Sequence, residues 1–195
     1  MSARLRCKVL DSLAAYVPGA LVLDVCAGSG AQGIEALSMG ADRVVFVDLS
    51  PAALNLVKSN VDLCSPEPLD CVQLRRLSAD RYLEDLALGL YAEDEHDLIL
   101  FVSPPYGSSQ EICEAACRAF PAIALPRSSA TFLVLQHPPR LDFSLQDPAA
   151  SEAIERRTYL AGDSQATIFR LEPGVDPAEH PADAGEEDDG LQVES

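Results

Sequence analysis

Two short segments of this 195-residue chain bring together residue types that can do chemistry. The first reads Asp24-Val25-Cys26-Ala27-Gly28-Ser29-Gly30-Ala31-Gln32-Gly33. Glycines at 28 and 30 allow backbone conformations closed to other residues and let a ligand approach within contact distance, while the following helix presents its N-terminal NH groups. Asp48 stands eighteen residues past Gly30 at the end of an apolar run, where a carboxylate can accept hydrogen bonds from both hydroxyls of a ribose. Together they imply an adenosine-containing ligand. Gly28-x-Gly30-x-x-Gly33 is also the dinucleotide fingerprint, a weak signal when it stands alone, so NAD and redox chemistry remain an alternative. Asp24 separates the two, because an acid four residues before the first glycine repels a pyrophosphate and suits a ligand with a cationic amino-acid portion.

The second segment, Ser103-Pro104-Pro105-Tyr106, follows the apolar run that ends at Val102, and its two prolines forbid further strand pairing. Tyr106 can stack on a planar base, while the Ser103 hydroxyl and the Pro104 carbonyl can accept the two hydrogens of an exocyclic amine. Such an amine is a poor nucleophile while its lone pair is delocalised into the ring. Two acceptors aimed at its hydrogens favour the pyramidal form, whose lone pair points at an electrophile.

Other candidates read more simply. His96 and His137 flank strands and are packing or surface residues on the general rule, and His180 lies near the C-terminus. The six cysteines (7, 26, 64, 71, 113 and 117) form no C-x-x-C pair and no zinc spacing with histidine, so neither a metal site nor a disulfide framework is expected. Cys113 and Cys117 share one helix face and read as core; Cys26 suits its loop by being small.

The elements that must position these residues alternate along the chain. Leu5, Val9, Leu13 and Tyr16 make one helical stripe, ended by Pro18-Gly19. Strands are expected at 20–25, 43–48, 72–77, 97–102 and 131–135, each short and largely apolar as in a buried parallel sheet. Between them fall a helix closed by Gly40, a helix capped by Ser50 with Leu54, Val57 and Val61 inward, a helix with Leu83, Leu86 and Leu90 inward, and a helix from about 110 to 120. Residues 157–160 and 166–171 read as a closing hairpin around a turn at 161–164. The pattern predicts an open α/β sheet with an antiparallel edge, whose ligands bind beyond the carboxyl ends of the strands.

Composition bounds the rest. A hydrophobic content of 48% suits one globular core, and no stretch approaches the about 20 apolar residues of a membrane span, so a cytoplasmic protein with reduced thiols is expected. Net charge is −17, but eight acids and no bases lie between Asp176 and Ser195, and without them 23 acids face 14 bases. The chain divides into a single domain, 1–173, and an acidic segment, 174–195, with the composition of a solvated tail. Twelve of the 14 bases are arginine, with pairs at Arg75-Arg76 and Arg156-Arg157 that read as solvated surface. So acidic a body argues against unaided binding of polyanions.

Read together, these segments resemble the class I S-adenosylmethionine-dependent methyltransferases, and most of all the bacterial 16S rRNA (guanine-N2)-methyltransferase family, over about residues 2 to 172. The family pattern runs through a basic helix, an LDLFAGSGALGLEALSRGA-like loop and helix, a strand ending in an acid, a short turn with Asp, and an IFLDPPY-like strand and loop. Here the same order reads VLDVCAGSGAQGIEALSMGA over 22–41, Val45-Phe46-Val47-Asp48, Ser78-Ala79-Asp80 and Phe101-Val102-Ser103-Pro104-Pro105-Tyr106, and Tyr159 to Ser164 resembles the family's KKYGDT-like hairpin. The resemblance implies a Rossmann-like sheet, mostly parallel with a C-terminal antiparallel hairpin and helices on both faces. It implies S-adenosyl-L-methionine as cofactor, with Asp24, Ala27, Gly28 and Gly30 around its methionine part, Asp48 on the ribose and Asp80 near the adenine. Ser103, Pro104, Pro105 and Tyr106 become the catalytic loop on the N2 amine of a guanine in ribosomal RNA, met within a small-subunit ribonucleoprotein particle, with no metal and no membrane expected; the sequence leaves the oligomeric state open, with a monomer favoured.

Three departures bear on the substrate. Ser103 stands where the family carries Asp or Asn, although Ser-Pro-Pro-Tyr occurs in DNA cytosine-N4 methyltransferases. The chain begins at the helix without the family's basic β-hairpin. The helix reads Arg4-Leu5-Arg6-Cys7-Lys8-Val9-Leu10 against an RVREALF-like segment, keeping the arginines and replacing Glu by Cys7. Two further readings therefore stand beside the first: a cofactor-binding protein without catalysis, and an amine methyltransferase acting on DNA, protein or a small molecule.

Overall fold

The computed structural model describes residues 1–64, 70–145 and 155–171; the segment 174–195 read as an acidic tail lies outside the described residues. In chain order the elements are α1 (Ala3–Ser12), β1 (Leu21–Val25), α2 (Ala31–Ser38), β2 (Arg43–Asp48), α3 (Pro51–Cys64) and β3 (Val72–Arg76). They continue with α4 (Ala79–Ala87), β4 (Leu98–Val102), α5 (Ser109–Ala124), β5 (Thr131–His137), β6 (Glu155–Ala161) and β7 (Ser164–Leu171). The seven strands form one sheet in the order β3-β2-β1-β4-β5-β7-β6. The first five pair in parallel, and β7 runs antiparallel to both β5 and β6.

Every residue of β1, β4 and β5 is buried, which is why these strands read as continuous apolar runs. Their alternate side chains feed two cores. Leu21, Leu23, Val25, Leu98, Leu100 and Val102 pack with α4 and α5 on one face of the sheet. Val22, Val44, Phe46, Ile99 and Phe101 pack with α1, α2 and α3 on the other. At about 1.5–3 kcal/mol for each large apolar side chain removed from water, these two layers hold the strand ends rigid beneath the site.

The boundaries differ from expectation in ways with local causes. α1 ends at Ser12, so Leu13 and Tyr16 lie in the turns that follow; Leu13 stays buried and Tyr16 stacks on Phe132 with ring centroids 4.7 Å apart. Leu90 is not on the buried face of α4: the helix stops at Ala87, Gly89 turns the chain at φ +102°, and Tyr82 joins Leu83 and Leu86 inside instead. The hairpin is longer and its turn tighter than expected, because Ala161 still pairs with Ser164 and only Gly162 and Asp163 turn, with Gly162 at φ +61°. Among the described residues no helix is long and apolar enough to cross a membrane.

One contact fixes how closely α2 lies on the sheet. A Cβ at Gly33 would stand 2.4 Å from Cε1 of Phe46 and 2.8 Å from Cγ1 of Val44, and both rings and methyls are fully buried. Alanine normally favours a helix over glycine, but here overpacking wins, so Gly33→Ala should cost about 1–3 kcal/mol net. The expected readout is a Tm several degrees below that of the parent protein; an equal or higher Tm would contradict the contact.

Candidate active site

The site lies where strand order reverses. β1 pairs with β2 on one side and β4 on the other, and the ladders continue one step past the strands: Ala27 N donates to Val47 O at 3.1 Å and Ser103 N to Val25 O at 3.1 Å. Beyond those bonds the loops part, leaving a cleft of about 670 Å³ at the carboxyl ends of the strands. Gly28, Asp48, Asp80, Ser103, Pro104, Pro105 and Tyr106 all line it. Seven sequence-derived candidates, from four different loops and helix ends, thus meet in one cavity.

The other three candidates lie behind its wall. Gly30 caps α2 at φ +76° and its N–H donates to Ala27 O at 2.8 Å, closing a tight turn in which Ala27 is buried. Asp24 is 0% exposed. The pleat of β1 turns its carboxylate toward α2, where Oδ2 accepts the Gly33 N–H at 3.1 Å and Oδ1 is buried with no partner among the described residues. Burial pushes its pKa up to about 7, against the pull of the Gly33 N–H.

Asp48 ties the walls together. Its Oδ2 accepts from Gly28 N at 3.0 Å and its Oδ1 from Ser50 N at 2.9 Å, so each carboxylate oxygen keeps acceptor capacity toward the cleft. Asp80 sits in the first turn of α4, whose cap is the Ser78 hydroxyl accepting from Arg81 N at 3.4 Å, a position where the helix dipole favours an acid. Leu49 and Leu77 line the same end and give it an apolar surface between the two acids. No Lys or Arg lines the cleft among the described residues.

At the other end Tyr106 is 62% exposed at the mouth, with one face open to a planar partner. The loop is held from below by Ser108 N donating to Pro105 O and by Ser109 Oγ donating to Tyr106 O, both at 3.1 Å. Cys26 lines the cleft at φ +62°, but burial, reinforced by Asp48, Asp24 and Asp80, pushes its thiol up to about 12, far from a nucleophilic thiolate.

Two glutamines escaped sequence reasoning. Gln32, buried on α2, donates from Nε2 to Ser103 Oγ at 2.8 Å. Gln136, near the end of β5, lines the cleft and donates from Nε2 to Ser164 Oγ at 3.3 Å. Gln32 occupies a variable position inside the glycine segment and Gln136 belongs to no motif, so neither carried a cue beyond being polar where its strand or helix faces the interior. The remaining candidates pack as read. His137 is buried beside Thr167 Oγ1 at 2.9 Å and against the Phe143 ring, and His96 contacts Asp94 and Asp42 at the opposite end of the strands. Cys113 and Cys117 are buried in the core, and the exposed Arg156 and Arg157 pair with Asp142 and Glu155.

Residues 1–169 match the family model described as Conserved hypothetical protein 95. The chain belongs to that family. This chain is 37% identical over 99 residues to a Bacillus subtilis (strain 168) protein provisionally named rRNA methyltransferase YlbH, an overlap covering 50% of each chain. The chain therefore spans about half the length of that curated relative. Its fold is that of solved methyltransferases. A structure from Escherichia coli provisionally named methyltransferase yhhF superposes with TM-score 0.65 and 18% identity, covering 88% of this chain and 87% of that one. An RNA methyltransferase from Salinibacter ruber, solved in complex with S-adenosyl-L-homocysteine, superposes with TM-score 0.55 and 19% identity over 95% and 99% of the two chains. The fold expected from the glycine loop and the Ser-Pro-Pro-Tyr loop is thus borne out.

The buried acid makes a prediction of its own. Asp24 is protonated in the folded chain up to about pH 7 but ionises in the unfolded chain near its ordinary value of 3.8. The stability this group contributes is present below that lower value and is lost as pH rises through about 7. Asp24→Asn cannot ionise, so its urea midpoint should gain on that of the parent protein between about pH 5 and about pH 8. A pH-independent difference between the two would contradict a buried, protonated Asp24.

Proposed function

We propose that this chain transfers the methyl group of S-adenosyl-L-methionine to the exocyclic N2 amine of a guanine in small-subunit (16S) ribosomal RNA. The observation that carries this reading is a single cleft with the ribose-type acid Asp48 at one end and Ser103 to Tyr106 at the other.

The residues fit the cofactor. Beneath the glycine loop, behind the cleft wall, Asp24 Oδ1 is buried with no partner among the described residues, an unsatisfied acceptor for which the ammonium group of the cofactor would be the complement. Asp48 has acceptor capacity left for a ribose, and Asp80 with Leu49 and Leu77 would hold an adenine. A cleft lined by Asp48 and Asp80, with no Lys or Arg side chain among its described lining residues, suits a cation and opposes a pyrophosphate, which weighs against NAD. When bound there, S-adenosyl-L-methionine supplies an electrophilic methyl group on a sulfonium. The relatives support the RNA class: one is named for rRNA methylation and another, named for RNA, holds S-adenosyl-L-homocysteine.

The chain's own residues then act on the amine. A base in a stack cannot reach a loop at the end of a sheet, so it leaves the stack and lies on Tyr106. The Ser103 hydroxyl and the Pro104 carbonyl accept the amine hydrogens and turn the nitrogen lone pair toward the cofactor end. No strong base is required, because the proton leaves for solvent once the nitrogen is positively charged. With a body this acidic, docking relies on arginines such as Arg4 and on a structured ribonucleoprotein surface more than on bare RNA.

Binding of S-adenosyl-L-homocysteine, followed by calorimetry, should weaken about tenfold or more in Asp48→Ala, which loses both the ribose acceptor and the tie to Gly28. In Tyr106→Ala the same affinity should be kept while methyl transfer to small ribosomal subunits falls about tenfold to a hundredfold, as loss of a stacking platform requires. Unchanged affinity in the first variant, or unchanged transfer in the second, would remove that residue from the reading.

A further inference from the structure

Ser103 is a spare substitute for a carboxylate: one oxygen, two lone pairs and a side chain free to choose among three rotamers. Its backbone is fixed by the bond from Ser103 N to Val25 O, but that bond does nothing to aim the hydroxyl. Gln32 does. It lies 71 positions earlier in the chain, is 4% exposed, and places Nε2 2.8 Å from Ser103 Oγ. The glutamine is buried, and the backbone beside it is anchored, since the next residue donates its N–H to Asp24 Oδ2 at 3.1 Å and packs so closely on Phe46 and Val44 that a Cβ there would not fit.

We propose that Gln32 is a positioning residue for methyl transfer, fixing the Ser103 rotamer so that the lone pair left on Oγ meets the target amine. The inference rests on the function proposed above and deepens it. A buried N–H donor occupies one lone pair of the hydroxyl and leaves one for the substrate, so a single rotamer replaces three. Gln32 is not among the described residues that line the cleft, and its side chain reaches the catalytic loop through the bond to Ser103 Oγ. Its loss should therefore appear in the transfer step and not in cofactor binding. Serine then serves at a position where a carboxylate would need less help, because the second group that orients it is supplied by α2.

The test is a double-variant cycle on methyl transfer to small ribosomal subunits, using Gln32→Met, Ser103→Ala and the two combined, with S-adenosyl-L-homocysteine affinity and Tm measured on the same samples. Methionine keeps the length and volume of glutamine and removes the donor. Gln32→Met should lower kcat about tenfold to a hundredfold with cofactor affinity within about twofold of the parent protein, as for a small misplacement of a reacting group. The combined variant should be no slower than Ser103→Ala alone, because the glutamine acts only through the serine. Wild-type kcat in Gln32→Met, or losses that multiply, would overturn the inference and leave the functional reading standing. A parent protein that binds S-adenosyl-L-homocysteine but methylates no small-subunit RNA would overturn both. If Gln32→Met fails to fold, Gln32→Leu replaces it with the same two outcomes.

Discussion

Parallel pairing of β1 with both β2 and β4 is the constraint on which the rest of this structure depends. Because all three strands point the same way, the loops that follow them emerge at one edge, and because the chain leaves β1 toward one neighbour and returns later to the other, those loops diverge. A crevice results that no helix fills. The two apolar layers on either side of the sheet fix the strand ends, and the bonds from Ala27 and Ser103 to the flanking strands carry that rigidity into the loops. Everything with chemical character in the cleft hangs from these few backbone bonds.

The electrostatics of the cleft follow from the same geometry. Asp48 and Asp80 line it, and Asp24 lies beneath the glycine loop, held neutral to about pH 7 by its burial. Two acids line the cleft with no Lys or Arg side chain among its described lining residues, so the field favours a cationic ligand and disfavours a phosphate. The cysteine among them is pushed away from ionising, and His96 and His137 are engaged elsewhere. On the function proposed, what remains for catalysis is orientation: acceptors in the 103–106 loop for an amine and an exposed ring on which a base can lie.

The sheet, and the meeting of seven of the ten candidate residues in one cleft, were legible because their cues are local. Buried parallel strands must be continuous apolar runs, the turn at Gly28 and Gly30 needs positive φ, and two prolines end a strand. Boundaries that depend on a single turn were less legible: the spacing that places Leu90 with Leu83 and Leu86 continues unbroken, and only the left-handed turn at Gly89 removes it from the helix. Asp24, Ala27 and Gly30, read as lying around the methionine part of the cofactor, sit beneath the glycine loop and not on the cleft surface, since spacing along a chain does not say which face of a wall a residue occupies. Gln32 and Gln136 were invisible because their partners are 71 and 28 residues away, and such pairs exist only once the sheet has assembled.

The central claim is that this cleft aligns a guanine amine with a methyl donor. It is tested most directly by incubating the protein with tritiated S-adenosyl-L-methionine and unmodified small ribosomal subunits, or the RNA extracted from them, followed by nucleoside analysis. The account predicts label in N2-methylguanosine, with more from intact subunits than from free RNA. Unlabelled RNA in a sample where the protein has bound S-adenosyl-L-methionine, or label in a different nucleoside, would contradict it.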